Sequence, residues 1–291
     1  RGLSGVSKAT KSGKSLVADM QKAIERYEGA ARKAFVRDVV AVASSDEIKA
    51  AIAALQRGSV QEAIQHVGRT SFDFDTLTDT LKKAATTAIE ISNQSLVSGT
   101  QDSFTITNEL AAKAALKAGK NIPNLSAIAR KTVSAAIADN INEGLTLDET
   151  ATRIQNAIGL DSRGQTSVDN YRRSLIKEGR KRTVVDRLTR SYTARLTNQR
   201  AMTIARTETV RAANAGQIEY WNDMAQQGYL TAAKTFKEWI TASDERTCPL
   251  CGPMDGARVL LGELFDVGGM LIDGPVVHPN CRCSLALFIE S

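Results

Sequence analysis

The feature that most restricts how this chain can fold is a group of four cysteines and one histidine near its end. Cys248 and Cys251 are separated by two residues, and His278 and Cys281 repeat that spacing further along the chain. Cys283 adds a fifth donor. Two soft donors separated by two residues can bind one tetrahedral metal ion from a single tight turn. The pattern therefore favours a fold that brings two distant turns together around a metal.

The sequence leaves three interpretations of this cluster open: a structural zinc site, two disulfides, or buried free thiols. Residues 1–14 are basic and rich in Ser and Gly without an apolar core, which is unlike a secretory signal. We therefore expect a reducing compartment, where cysteines favour zinc over disulfides. The predicted cofactor is zinc, and its predicted ligands are Cys248, Cys251, His278 and Cys281. Cys283 is the substitute ligand, because it would share a strand face with Cys281.

The donor count predicts a structural metal site and not a catalytic one. A catalytic zinc usually has three protein ligands and an open position, whereas five donors exceed the four positions available here. The nucleobase-deaminase signature has a Pro before its first Cys and a His-x-Glu, but Thr247 precedes Cys248 and no His-x-Glu occurs. His-Glu-x-x-His is also absent from the sequence. We predict that the chain is not an enzyme; the alternative is a zinc-dependent hydrolase or nuclease that acts on DNA.

The first two-thirds of the chain has helical periodicity. Within 15–43, apolar residues recur at steps of three and four, which places them on one helix face. Ser44 with Glu47 and Ser59 with Glu62 have the spacing of capping boxes. The predicted helices cover 15–43, 74–98, 108–118, 125–143, 147–157, 168–178 and 184–224, with Gly99, Gly119, Gly144 and Gly159 following four of the ends. Strands are predicted at 234–240 and 283–289, on either side of a loop-like stretch rich in Gly, Pro and Asp.

These patterns predict a mainly α fold, in which a helical N-terminal region is followed by a small α+β C-terminal module stapled by zinc. We expect a helical region at 1–165, a basic helical segment at 166–205 and the zinc-binding module at 206–291. Apolar residues make up 42% of the chain and charged residues 24%, which excludes wholesale disorder. No apolar run approaches the length of about 20 residues that a membrane span needs, so no membrane contact is expected.

The net charge of +6 is concentrated in one segment. Residues 172–206 contain eleven Lys or Arg and two Asp or Glu. On a helix such residues form a cationic stripe that can release counterions from DNA phosphates. A solvated face, or packing against an acidic patch of a protein partner, would leave the same pattern. The predicted DNA-binding residues are Arg172, Arg173, Lys177, Arg180, Lys181, Arg182, Arg187 and Arg190.

Three motifs follow one another in the C-terminal half of the chain. They are Ile204-Ala205-Arg206-Thr207-Glu208-Thr209, then Cys248-Pro249-Leu250-Cys251, then His278-Pro279-Asn280-Cys281-Arg282-Cys283. In this order and spacing they resemble the phage head morphogenesis domain, the family of minor head proteins named after the Mu F protein. The positions that match the family and are assigned a structural role are Arg206, Thr207, Glu208 and Asp244. We expect Arg206 to pair with Asp244 and fasten the helix to the turn before Cys248.

The resemblance implies a minor structural protein of the virion, located at the head or portal and assembled in the host cytoplasm. The implied partners are the phage portal protein, capsid or scaffold protein, and genomic DNA. The implied roles are head assembly, DNA packaging or genome delivery, and no established enzymatic activity comes with the domain. A nucleic-acid-binding module without a capsid role is a third hypothesis.

Overall fold

A computed structural model of the chain describes residues 13–97, 122–143, 147–242 and 247–290. Helices dominate these residues, and a small group of strands follows them, which confirms the predicted fold class. The helices are α1 Gly13–Ala43, α2 Asp46–Gln56, α3 Val60–Arg69, α4 Asp75–Val97, α5 Ile122–Glu143, α6 Leu147–Gly159, α7 Ser162–Lys177 and α8 Arg182–Gln226. The predicted helix 108–118, and the predicted stops at Gly99, Gly119 and Gly144, lie outside the described residues.

The two predicted capping boxes differ from the structure, one in the position of its cap and the other in its hydrogen bonding. The N-cap of α2 is Ser45, whose hydroxyl accepts a hydrogen bond from the Ile48 N–H, and not Ser44. Ser44 lies one residue earlier, directly after the end of α1, and its N–H bonds to the carbonyls of Val40 and Ala41. Ser59 does precede α3, but its side chain makes no capping hydrogen bond to the helix backbone.

The start of α7 also differs, because the helix begins at Ser162 and not at 168. Asp161 is its N-cap, and the carboxylate accepts a hydrogen bond of 2.8 Å from the N–H of Gly164. Gly164 itself disfavours a helix, and this local preference concealed the cap in the sequence.

The strands form two small antiparallel sheets. They are β1 Thr235–Ile240, β2 Arg258–Leu260, β3 Phe265–Val267, β4 Met270–Ile272 and β5 Ser284–Ile289. The first sheet has the order β2-β1-β5, and β3 pairs with β4 in a hairpin. The hairpin turns through Gly268 and Gly269, both with positive φ, as a two-residue turn of type I′ requires. The expectation of a loop between the two predicted strands was therefore wrong at β2, β3 and β4.

The chain divides into two compact units. The first comprises Arg1–Ala31, Thr78–Lys120 and Thr203–Ser291. In its core Met20 and Ile24 of α1 pack with Ala88 of α4 and with Val210 and Ala213 of α8.

The second unit comprises Arg32–Leu77 and Asn121–Met202. Phe35 and Phe74 stack there with ring centroids 5.5 Å apart. The buried carboxylate of Asp38 accepts a hydrogen bond from the N–H of Leu77 near the start of α4. The expected domain boundaries at 165 and 205 stay predictions. Among the described helices, none combines the length and apolar character that crossing a membrane demands.

Candidate metal centre

Cys248 and Cys251 lie in a tight turn that follows β1. The backbone closes this turn through bonds from the N–H groups of Cys251 and Gly252 to the carbonyl of Cys248. The N–H of Cys251 also donates to the Sγ of Cys248 at 3.3 Å. This contact fixes the position of the sulfur within the turn.

His278 directs one ring nitrogen at both of these cysteines. Its Nε2 lies 3.0 Å from Cys248 Sγ and 3.4 Å from Cys251 Sγ. Its Nδ1 lies 2.8 Å from the carbonyl oxygen of Pro279. Because a carbonyl only accepts, Nδ1 carries the proton in the neutral ring and Nε2 presents a lone pair to the sulfurs. Metal-binding histidines are typically oriented by this kind of second hydrogen bond.

The other two cysteines join the cluster through Cys251. The sulfurs of Cys251, Cys281 and Cys283 lie within 4.8 Å of one another, as do the donor atoms of Cys248, Cys251 and His278. All five predicted ligands are therefore brought together, as two groups of three that share Cys251. The structure thus leaves both Cys281 and Cys283 available as further ligands.

The four cysteines are free in the structure and differ in their electrostatic surroundings. None of the four cysteines forms a disulfide, so the structure does not contain the two-disulfide arrangement. A hydrogen bond between the two side chains lowers the pKa of Cys281 and raises the pKa of Cys283. Burial raises the pKa of Cys251 to about 12. A metal that binds here must therefore displace protons from buried thiols.

Helix α8 holds the turn that carries His278 and Cys281. The backbone N–H of Asn280 donates to the hydroxyl of Thr207 at 3.0 Å, and the Asn280 amide reaches the hydroxyl of Thr203 at 3.4 Å. Asn280 has a φ of 63°, a left-handed conformation that Asn tolerates better than most residues. The contact joins two motifs of the sequence, since Thr207 belongs to the Ala-Arg-Thr-Glu element and Asn280 to the His-Pro-Asn-Cys element.

Two amide side chains of α8 reach the segment that contains Cys283. Asn214 donates to the carbonyls of Pro275 at 3.4 Å and Cys283 at 3.2 Å. Gln217 donates to the carbonyl of Leu285 at 3.4 Å. Sequence reasoning missed both roles, although two amide residues three positions apart among the small and apolar residues of 212–218 were a detectable signal.

Lys237 is a further residue that the sequence analysis missed. It lies in the middle of β1 with its side chain fully buried. Its Nζ donates to the carbonyl of Asp273 at 3.0 Å, forms an ion pair with the Asp273 carboxylate, and lies 5.7 Å from the centre of the Phe265 ring. The signal was its position between Thr235 and Trp239 on the inward face of the strand.

The charged residues of the Ala-Arg-Thr-Glu element have partners of their own. Arg206 forms an ion pair of 2.5 Å with Glu28 of α1. Asp244 lies outside the described residues, so the expected Arg206–Asp244 pair stays a prediction. Both carboxylate oxygens of Glu208 accept hydrogen bonds of 2.9 Å from Arg211. Burial raises the pKa of Glu208, and Arg211 opposes part of this rise.

The predicted DNA-binding residues lie on α7, the start of α8 and the turn between them. Gly179, with a φ of 70°, forms part of that turn, and Tyr171 of α7 contacts Tyr192 of α8 with ring centroids 4.7 Å apart. Four residues have acceptor partners: Arg172 and Arg182 with Asp186, Arg173 with Asn170, and Arg180 with Glu178. Among the described residues, Lys177, Lys181, Arg187 and Arg190 are exposed and have no ion-pair partner.

Comparison with known proteins places most of this architecture in one family. Residues 131–286 match the family model described as phage Mu protein F like protein. The match is longer than half of the 291-residue chain and extends from α5 to β5. No curated protein and no solved structure matches the chain.

Proposed function

The chain belongs to the phage Mu protein F like family, and from this membership we propose that it is a minor structural protein of the phage head. Its role is to assemble with other virion components and not to catalyse a reaction. We place it at the portal or the inner capsid, where it contributes to head assembly, DNA packaging or genome delivery. The family match over residues 131–286 is the observation that carries this proposal.

The C-terminal cluster is proposed to bind one structural zinc ion. The donor set supports zinc because thiolates and imidazole are its preferred ligands, and a site with four protein ligands is closed. Five donors within two overlapping groups supply more ligands than a single zinc needs. The orientation of His278 by Pro279 supports the same assignment.

The exposed cations of α7 and α8 are proposed to contact phosphates of the genomic DNA. Lys177, Lys181, Arg187 and Arg190 support this role because they are exposed and have no ion-pair partner among the described residues. Tyr171 and Tyr192 contact each other, so contact with the DNA backbone is favoured over stacking on bases. An acidic surface of the portal protein is the competing partner for the same residues.

Particle composition tests the assignment to the virion. The chain, produced together with the portal, scaffold and capsid proteins of its own genome, should co-purify with heads at a few copies per particle. Heads assembled without the portal protein should contain much less of it. Heads that lack the chain in both preparations would contradict the proposed role, whereas equal amounts in both would place it away from the portal.

The alternative of a zinc-dependent nuclease requires a general base beside the metal. Glu208 is the carboxylate of the matched motif, but both of its oxygens accept hydrogen bonds from Arg211. This pairing favours a structural role. Incubation of the zinc-loaded chain with DNA distinguishes the two functions: a nuclease activity that Glu208→Gln abolishes, while fold and zinc content persist, would replace the structural proposal.

A further inference from the structure

Three of the five metal donors lie on a segment without regular secondary structure. Residues 273–283 connect β4 to β5 and carry His278, Cys281 and Cys283. A segment of this kind loses conformational entropy when a metal orders it, and that loss weakens binding. The segment is nevertheless fixed by protein contacts at points that are not metal donors.

The upstream end of the segment is fixed by Lys237. Its ammonium group bonds to both the carbonyl and the carboxylate of Asp273, the first residue after β4. Burial of a Lys side chain costs free energy unless the charge is paired, and an apolar residue would fill this position without that cost. The pairing with Asp273 therefore indicates a role beyond packing. The next residue, Gly274, is closely packed, since a Cβ there would lie 2.8 Å from Leu285.

The middle of the segment is fixed by Thr207. Its hydroxyl accepts the N–H of Asn280, which lies between the donors His278 and Cys281. The same hydroxyl donates to the carbonyl of Thr203 at 2.7 Å, so its orientation is fixed by the helix. The contact therefore holds a left-handed residue at the centre of the metal-binding turn.

We propose that Lys237 and Thr207 are positioning residues of the metal centre. They hold residues 273–283 in the metal-binding conformation before the metal binds. They therefore raise the affinity of the site for the metal, although neither side chain contacts the metal. The inference rests on the proposed metal site and adds to it that the second turn is organised by the protein and not by the ion. Contacts that orient metal ligands in this way typically contribute roughly 10- to 100-fold in affinity.

The test uses variants of the full chain in which the shape of one side chain is kept and its polar contacts are lost. Thr207→Val and Lys237→Met remove the two contacts, and Thr207→Ser restores the hydroxyl. Thr209→Val is the matched control, because Thr209 lies on the same helix, is fully buried, and has a hydroxyl without a hydrogen-bond partner among the described residues. Zinc affinity is measured by competition with a chromophoric chelator, and the tetrahedral site is followed through the absorption spectrum of bound cobalt(II).

We expect Thr207→Val and Lys237→Met to weaken zinc binding roughly 10- to 100-fold and to alter the cobalt spectrum. Thr207→Ser and Thr209→Val should bind zinc as the unmodified chain does. Thermal unfolding of the metal-free proteins, with Thr209→Val as reference, separates lost affinity from a general loss of stability.

Three results would overturn the inference. Unchanged zinc affinity in Thr207→Val and Lys237→Met, with an unmodified chain that binds zinc, would leave the metal site standing and reject the positioning role. An equal loss of zinc affinity in Thr209→Val would show that the loss in the other two variants comes from general destabilisation of the fold. If the unmodified chain binds neither zinc nor cobalt, the proposed metal site fails and the inference fails with it.

Discussion

The side-chain amide of Asn214 donates a hydrogen bond of 3.2 Å to the carbonyl oxygen of Cys283. Cys283 directly precedes β5, which is an edge strand of the three-stranded sheet. Gln217 makes the corresponding contact to Leu285 from the next turn of α8. Two helical amides thus satisfy carbonyls that would otherwise be buried without partners or open to pairing with another chain.

Asn214→Ala should destabilise the protein by about 1–3 kcal/mol, because the carbonyls of Cys283 and Pro275 lose a buried donor. The free energy of unfolding is measured by urea titration in the presence of chelator, which removes the metal contribution. Asn198→Ala is the control, since Asn198 is exposed on the same helix. Similar losses in both variants would show that the contact with Cys283 is not the cause.

Cys251→Ser should weaken metal binding more than Cys283→Ser does, because Cys251 belongs to both donor groups. Its loss leaves four donors as two pairs, Cys248 with His278 and Cys281 with Cys283, without the thiol that the two groups share. Cys283→Ser leaves four donors and should retain about one zinc per chain. Elemental analysis after dialysis against a weak chelator measures the zinc content of both variants. Full zinc content in Cys251→Ser would exclude Cys251 as a required ligand.

Removal of four unpaired cations should weaken DNA binding and reduce its dependence on salt. The variant replaces Lys177, Lys181, Arg187 and Arg190 with Gln. Each lost phosphate contact reduces the slope of log affinity against log salt by about 0.9 on duplex DNA. A charge-matched control replaces four exposed cations of α1 and α4, namely Arg32, Lys33, Arg37 and Lys83. If both variants change the slope equally, DNA binding depends on the net charge of the chain and not on these four positions.

Gly216→Ala should destabilise the protein by about 1–3 kcal/mol through a steric clash. A Cβ at Gly216 would lie 2.6 Å from the carbonyl oxygen of Ala85, and this backbone atom cannot move aside as a side chain could. Gly68→Ala is the opposite case, because a Cβ there meets nothing within 4 Å in α3. That variant should gain about 0.4–1 kcal/mol. Thermal unfolding of the two variants gives the sign of the change in stability for each. A Gly216→Ala variant as stable as the unmodified chain would contradict the close approach of α8 to α4.

The free energy of unfolding of the Glu208→Gln variant should increase relative to that of the unmodified chain as pH rises. Burial raises the pKa of Glu208, so the folded carboxyl binds its proton more tightly than the unfolded one. Stability from this group is therefore present below the unfolded pKa and is lost as pH rises through the folded pKa. Unfolding of metal-free protein across this window measures the change, with exposed Glu25→Gln as control. A constant difference between the two proteins would contradict the raised pKa.

The sequence was sufficient for the helical character of the chain and for the residues of the candidate metal cluster. Apolar periodicity predicted α1 to within two residues of its observed ends, because a long amphipathic helix repeats the same signal over many turns. The predicted helical run at 184–224 also lies within two residues of the ends of α8. The Cys and His spacing identified five donors that the structure brings together. It could not separate Cys281 from Cys283, since both reach Cys251 and the choice depends on distances of a few ångströms.

Other features depend on contacts between residues that are distant in sequence. A charged residue such as Lys237 conflicts with the apolar pattern expected on the inward face of a strand. The structure resolves this conflict because Asp273 is its ion-pair partner. Arg172 counts as a free cation in the sequence but pairs with Asp186 across a turn. The strands β2, β3 and β4 contain three residues each, which is too short for alternation to be recognised.

The buried amine of Lys237 also gives the C-terminal sheet a chemical reporter. Lys234 lies three residues before it and is exposed, whereas Lys237 is fully buried. An acylating reagent should modify Lys234 in the native protein and reach Lys237 only when β1 separates from the segment that begins at Asp273. Mass spectrometry of one peptide that carries both lysines then measures how often the sheet opens, with Lys234 as the internal standard. The ratio can be read inside an assembled particle, where spectroscopic methods cannot isolate this chain.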